Sequence, residues 1–127
     1  MKKVCNALNT DVYGKIDGMD CIDYWSAIKN EPAKFCRVSG RTETSTNKLV
    51  GGHVISIDEK EPHVYIVPML SNYNSMRENL KAFFVDESSL VRVPIDQEQQ
   101  ILNDPDNIKE IERQKNIQFF ETLKKLK

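Results

Sequence analysis

The chain has 127 residues, 39% of them hydrophobic and 29% charged, with a formal net charge of −1. That length allows one ordinary domain able to bury a core without disulfides, and the composition excludes a disordered chain. The near-zero charge argues against sequence-independent binding to a nucleic-acid backbone, which calls for an excess of Lys and Arg.

Met1 to Gly18 places polar and turn residues around Val12-Tyr13 and reads as an irregular lead-in with, at most, one edge strand. Lys2-Lys3 is followed by no apolar run, so a secretory leader is not expected and a cytoplasmic location is. No stretch has the length of a membrane span. Asp20 to Asn30 predicts a short helix: Ile22, Trp25 and Ile28 recur every three residues, Asp20 suits the N-cap and Pro32 ends it. Phe35–Val38 is a strand candidate, and 40–47, rich in Ser, Thr and Gly, is a loop. Leu49–Ile57 and His63–Met69 predict two strong strands joined as an antiparallel hairpin.

Ser71–Leu80 follows as a helix, with Ser71, Asn72 and Asn74 as cap-forming types. Phe83–Asp86 and Leu90–Val93 predict two further short strands. Beyond Pro94 the chain turns polar and rich in Gln and Asn. Asp104-Pro105 then marks a helix start, and Ile108, Ile111, Phe119, Leu123 and Leu126 form an apolar stripe along a helix reaching nearly to Lys127. Lys124, Lys125 and Lys127 suit its C-terminus. The three cysteines, Cys5, Cys21 and Cys36, have no framework spacing and are expected as reduced thiols.

The middle third carries a more specific pattern. Cys36 to Arg41, then Leu49-Val50-Gly51-Gly52-His53-Val54, then Tyr65-Ile66-Val67-Pro68-Met69-Leu70-Ser71-Asn72-Tyr73-Asn74 resembles, in order and spacing, the HNH or ββα-metal endonuclease module. The resemblance implies an α+β fold. Its centre is a small ββα-metal, treble-clef-like core with an antiparallel hairpin, joined by a short N-terminal helix and a C-terminal amphipathic helix. Residues 1–94 would form the HNH-like domain, and 95–127 a helical extension packed on it or on a partner.

Carried over position by position, the structural zinc ligands fall at Cys36, Arg41, Leu70 and Tyr73. Only the thiol is a zinc ligand, and a structural site needs four N or S donors. No structural zinc is therefore expected, and Leu70 and Tyr73 suit an apolar patch in its place. On the catalytic side, His53 matches the general base and Asn74 the helix position, whereas Gly52 stands where a metal-ligating neighbour belongs.

The resemblance thus implies a degenerate member of the family: a non-catalytic binding protein without a cofactor. By analogy with decayed nuclease folds, it would serve a phage or mobile element as an inhibitor of a host enzyme. The alternative is a metal-dependent HNH endonuclease acting on DNA or RNA through His53 and Asn74 with one divalent metal such as Mg. Arg41, Arg77 and Lys81 are candidates for contacting a nucleic acid or a protein partner, and the C-terminal helix for a homodimer. Each residue also has a plain structural reading: His53 as a hydrogen-bonded strand histidine, Gly51-Gly52 as a crowded backbone, Asn74 as a cap, Cys36 as a buried thiol, and Trp25 as core.

Overall fold

The computed structural model describes residues 1–74 and 82–126. The architecture is mixed α+β. A five-stranded antiparallel sheet is built from β1 (Lys2–Asn6), β4 (Leu49–Ser56), β5 (Val64–Leu70), β6 (Phe83–Val85) and β7 (Val91–Arg92), in the order β6-β1-β4-β5-β7. A two-stranded ribbon, β2 (Lys15–Ile16) and β3 (Met19–Asp20), leads into α1 (Cys21–Lys29). Four α-helices are seen among the described residues: α1, α2 (Ser71–Asn74), α3 (Ile95–Asn103) and α4 (Pro105–Lys125). None of the described helices is long and apolar enough to cross a membrane.

The hairpin is the backbone of the sheet. β4 and β5 pair over seven positions, from Leu49 opposite Leu70 to Ile55 opposite Val64. Alternation then divides the side chains between two apolar layers. Ile55, Val64 and Ile66 join Cys5, Trp25 and Ile101 on the α1 and α3 side. Val54, Val67 and Met69 join Val4, Cys36 and Leu70 on the other. Trp25 is fully buried and donates its Nε1–H to the Ser89 carbonyl at 2.8 Å, so it is a core residue with its polar atom satisfied. The helix expected at Asp20–Asn30 is α1, capped at its C-terminus by Asn30 in the left-handed conformation (φ 55°). All three cysteines are free and buried.

Two expectations need correction, and one element carries no sequence expectation. The N-terminal segment is no irregular lead-in or edge. β1 lies inside the sheet, pairing Val4–Asn6 with Ser56–Val54 on one side and Lys2–Val4 with Val85–Phe83 on the other. Its lysines do not prevent this, because the Lys2 ammonium is held by Glu59 and faces Glu87. Phe35–Val38 is no strand. It opens a tight turn in which the Gly40 N–H donates to the Cys36 carbonyl (2.7 Å) and Cys36 N–H to that of Arg41 (2.8 Å), with Gly40 at φ 78°. The polar stretch after Pro94 is helix α3, anchored by buried Ile101 and by buried Glu98, whose carboxylate accepts from the Val64 N–H at 2.8 Å and from Arg92 at 2.6 Å.

The last helix starts at Asp104-Pro105 as expected, with the Asp104 carboxylate accepting from Asp106 N–H at 2.9 Å. Its faces are the surprise. The residues that α4 buries are Asn107, Glu110 and Gln114. Asn107 pairs with Leu8 in both directions, accepting its N–H (2.7 Å) and donating to its carbonyl (3.0 Å). Glu110 is bracketed by Arg113 and Gln114. Of the stripe read from the sequence, Ile108, Phe119, Leu123 and Leu126 are exposed, Phe119 at 59%.

Candidate functional site

β1 ends at Asn6, with one more ladder bond from Ala7 N–H to the His53 carbonyl (3.0 Å). β4 begins four residues earlier in the chain than His53, so its first half has β5 on one side and no β1 on the other. A cleft of about 360 Å³ opens there, lined by Leu49, Val50, Gly51 and His53 of β4, the first turn of α1, Thr10 and Asp11 of the preceding loop, and Asn74 of α2. A smaller hollow of about 40 Å³ adjoins it, sharing Thr10, Asp11 and Asn74 and reaching Asn6.

Local chemistry explains each wall. Gly51 lets α1 approach β4. A Cβ there would stand 2.5 Å from the Ile22 nitrogen and 2.8 Å from the Cys21 Cβ. Gly52 plays the same part on the other face, where a Cβ would meet Met69 Sδ at 2.6 Å and Asn74 Oδ1 at 2.9 Å. The crowded-backbone reading of Gly51-Gly52 is therefore right. Cys21 directs its thiol at the carbonyls of Tyr13 (3.3 Å) and Gly14 (3.6 Å), tying the loop that carries Asp11 to α1. α2 borrows its cap from a distance: the side-chain Oδ1 of Asn47 accepts from Asn72 N–H (3.1 Å) and from the Ser71 hydroxyl (2.9 Å). The Asn6 amide fixes the same turn by donating to the Tyr73 carbonyl at 2.6 Å.

The structure thus brings His53 and Asn74 to one cleft. His53 is 5% exposed, and its Nε2 has no hydrogen-bond partner, unlike the satisfied strand histidine that the plain reading expects. Burial drives its pKa from 6.5 to about 4, so the ring is neutral at ordinary pH. Asn6 is 8% exposed, and its Oδ1 is likewise unpartnered. Unsatisfied buried polar atoms are rare and costly, and these two lie at adjoining hollows, His53 at the cleft and Asn6 at the smaller one. Asn6, Asp11 and Thr10 escape the sequence reading because only the tertiary fold delivers them.

The other sequence candidates lie apart. Arg41 is exposed and does not line the cleft. Arg77 and Lys81 lie outside the described residues. At the knuckle, Cys36 Sγ accepts from the backbone N–H groups of Ser39 and Leu70, each at 3.4 Å. Burial alone would push this thiol up, but hydrogen bonds from the Ser39 side chain and from the backbone of Leu70, Ser39 and Val38 outweigh it and hold it below its usual value. The polar side chain that the turn presents to the sulfur is Ser39. Arg41, the position carried over from the resemblance, meets Cys36 only through the backbone. Leu70 and Tyr73 pack in the same apolar cluster as Cys36. Among the described residues, no group of three or more His, Cys, Asp or Glu side chains is placed to hold a metal ion. Comparison with protein-family models, with curated proteins and with solved structures gave no match to this chain.

Proposed function

We propose that this chain is a non-catalytic binding protein on a degenerate HNH-like ββα scaffold, and that it recognises a protein partner through the cleft at His53 and Asn74. One observation carries the reading. A neutral, buried histidine with an unpartnered Nε2 shares a cleft with Asn74, while its neighbour on the strand is a glycine. A general base for hydrolysis works best with a pKa near the working pH, and His53 lies well below it. As a hydrogen-bonding group in a concave, partly apolar site, the same ring is well suited to recognition. A protein partner rather than a nucleic acid is supported by the net charge of −1 and by the exposed Ile117, Phe119, Phe120 and Leu123 on the outer half of α4.

The test has two arms. Wild type is incubated with single- and double-stranded DNA and RNA in Mg²⁺, Mn²⁺ or Ni²⁺, and no cleavage is expected. Robust cutting that disappears in His53→Ala would establish the endonuclease instead. In the second arm, cross-linking in the producing cell should capture a protein with wild type and lose it with the folded Asn74→Ala variant. Equal capture by both would remove the cleft from recognition.

A further inference from the structure

We infer that the cleft receives the guanidinium of an arginine side chain presented by the partner protein, an inference that rests on the cleft being the recognition site. Three acceptors border the two hollows: the buried, unpartnered Nε2 of His53 at the cleft, the buried, unpartnered Oδ1 of Asn6 at the smaller hollow, and the exposed carboxylate of Asp11 at both. Among the described residues, no Lys or Arg lines either hollow. Guanidinium carries five N–H donors in a planar fork and accepts nothing, so it complements these acceptors, and the Thr10 hydroxyl and Asn74 amide that line both hollows can each turn an oxygen toward it. It is also weakly hydrated, which favours it over ammonium in a half-enclosed site.

The competing ligand is an anion at the N-terminus of α1, whose first turn borders the cleft. Two features oppose it. Gly51 packs against the Ile22 nitrogen so tightly that no atom fits between them. The helix also begins with acidic residues: Asp20 at the cap, paired with Lys15 at 2.7 Å, and Asp23 in the first turn. These offset the positive end of the dipole. The apolar walls, Leu49, Val50 and Ile22, suit the methylene stem of an arginine, and a cleft of about 360 Å³ has room for it. His53 then acts as an acceptor, so binding selects the tautomer whose Nε2 is bare. Its neutrality is already secured by burial.

The probe is agmatine, a guanidinium on a short alkyl amine, with n-butylamine and inorganic phosphate as comparators at fixed ionic strength. The ¹⁵N-labelled full chain is titrated, following the His53 ring nitrogens and the side-chain amides of Asn6 and Asn74. Agmatine should shift all three residues saturably and leave Nε2 with the resonance of an unprotonated acceptor. n-Butylamine should bind several-fold more weakly, and phosphate should move none of them. Asp11→Asn, a change at an exposed side chain, should weaken agmatine about fivefold. An agmatine affinity untouched by Asp11→Asn, or a butylamine affinity equal to it, overturns the inference. Shifts with phosphate and not with agmatine also overturn it, while leaving the cleft as a recognition site for an anionic partner. If neither agmatine nor phosphate moves these residues, the recognition reading falls as well.

Discussion

Acidifying the protein should weaken it through one buried ring. His53 titrates near 6.5 in an unfolded chain, and burial holds it at about 4 in the fold. Between those values the unfolded chain binds the extra proton, so stability rises with pH there. The contribution is complete above pH 6.5, declines as the pH falls toward 4, and changes little below that. From pH 7.5 to pH 4.5 the loss is about 2.5 kcal/mol. Carboxylates such as Glu59, held low by hydrogen bonds from Lys2 and Ser56 against the opposing effect of burial, lose stability over an overlapping range. The informative quantity is therefore a difference. Urea unfolding of wild type and His53→Gln is measured at several pH values, and the wild-type advantage should shrink by about that amount toward pH 4.5. Parallel pH profiles for the two proteins would show that the ring titrates alike folded and unfolded, and would refute its burial as a neutral group.

Gly51→Ala should cost about 1–3 kcal/mol or more in thermal or urea unfolding, because its Cβ meets backbone atoms of α1 rather than a yielding side chain. Stability equal to wild type would mean that α1 can shift freely. Glu98→Ala should cost about 2–3 kcal/mol by leaving the buried Val64 N–H and the Arg92 guanidinium without their acceptor, with Glu98→Gln milder. His63 Nδ1, 3.3 Å from the same carboxylate but poorly aligned for a hydrogen bond, adds little to that figure. Phe119→Ala with Leu123→Ala removes two side chains of the α4 stripe that are both exposed. The monomer's melting should change by no more than about 0.5 kcal/mol, and any loss should appear in self-association or partner binding followed by light scattering. A large drop in melting temperature at unchanged mass would show the helix packed against its own domain.

The parts of the fold legible in the sequence are those with local signals. The hairpin announces itself through two β-branched runs, and α1 and α4 through Asp20 and Asp104-Pro105. β1 has no such signal. Five residues, two of them lysines, become an interior strand only because β4 and β6 lie on either side. α3 is hidden for the opposite reason: its inward face is Ile101 together with Glu98, a charged residue that a pattern of apolar positions does not count. The same blind spot reverses α4, where Asn107, Glu110 and Gln114 are the buried set. At the site, His53 and Asn74 are legible through an ordered pattern of residues, whereas Asn6 and Asp11 reach it from the far end of the sheet's connectivity.

The interior position of β1 has a kinetic side. Its partners are made late: β4 ends 50 residues after Asn6, and β6 follows at Phe83–Val85. A chain emerging from the ribosome must carry this strand with both edges open until the hairpin exists, and closing contacts so far apart in sequence slows folding. Two features keep the waiting strand from pairing elsewhere: it is short, and it begins with two charged residues. The loop that follows β1 is tied to α4 by Asn107, which holds Leu8 across 99 residues of chain.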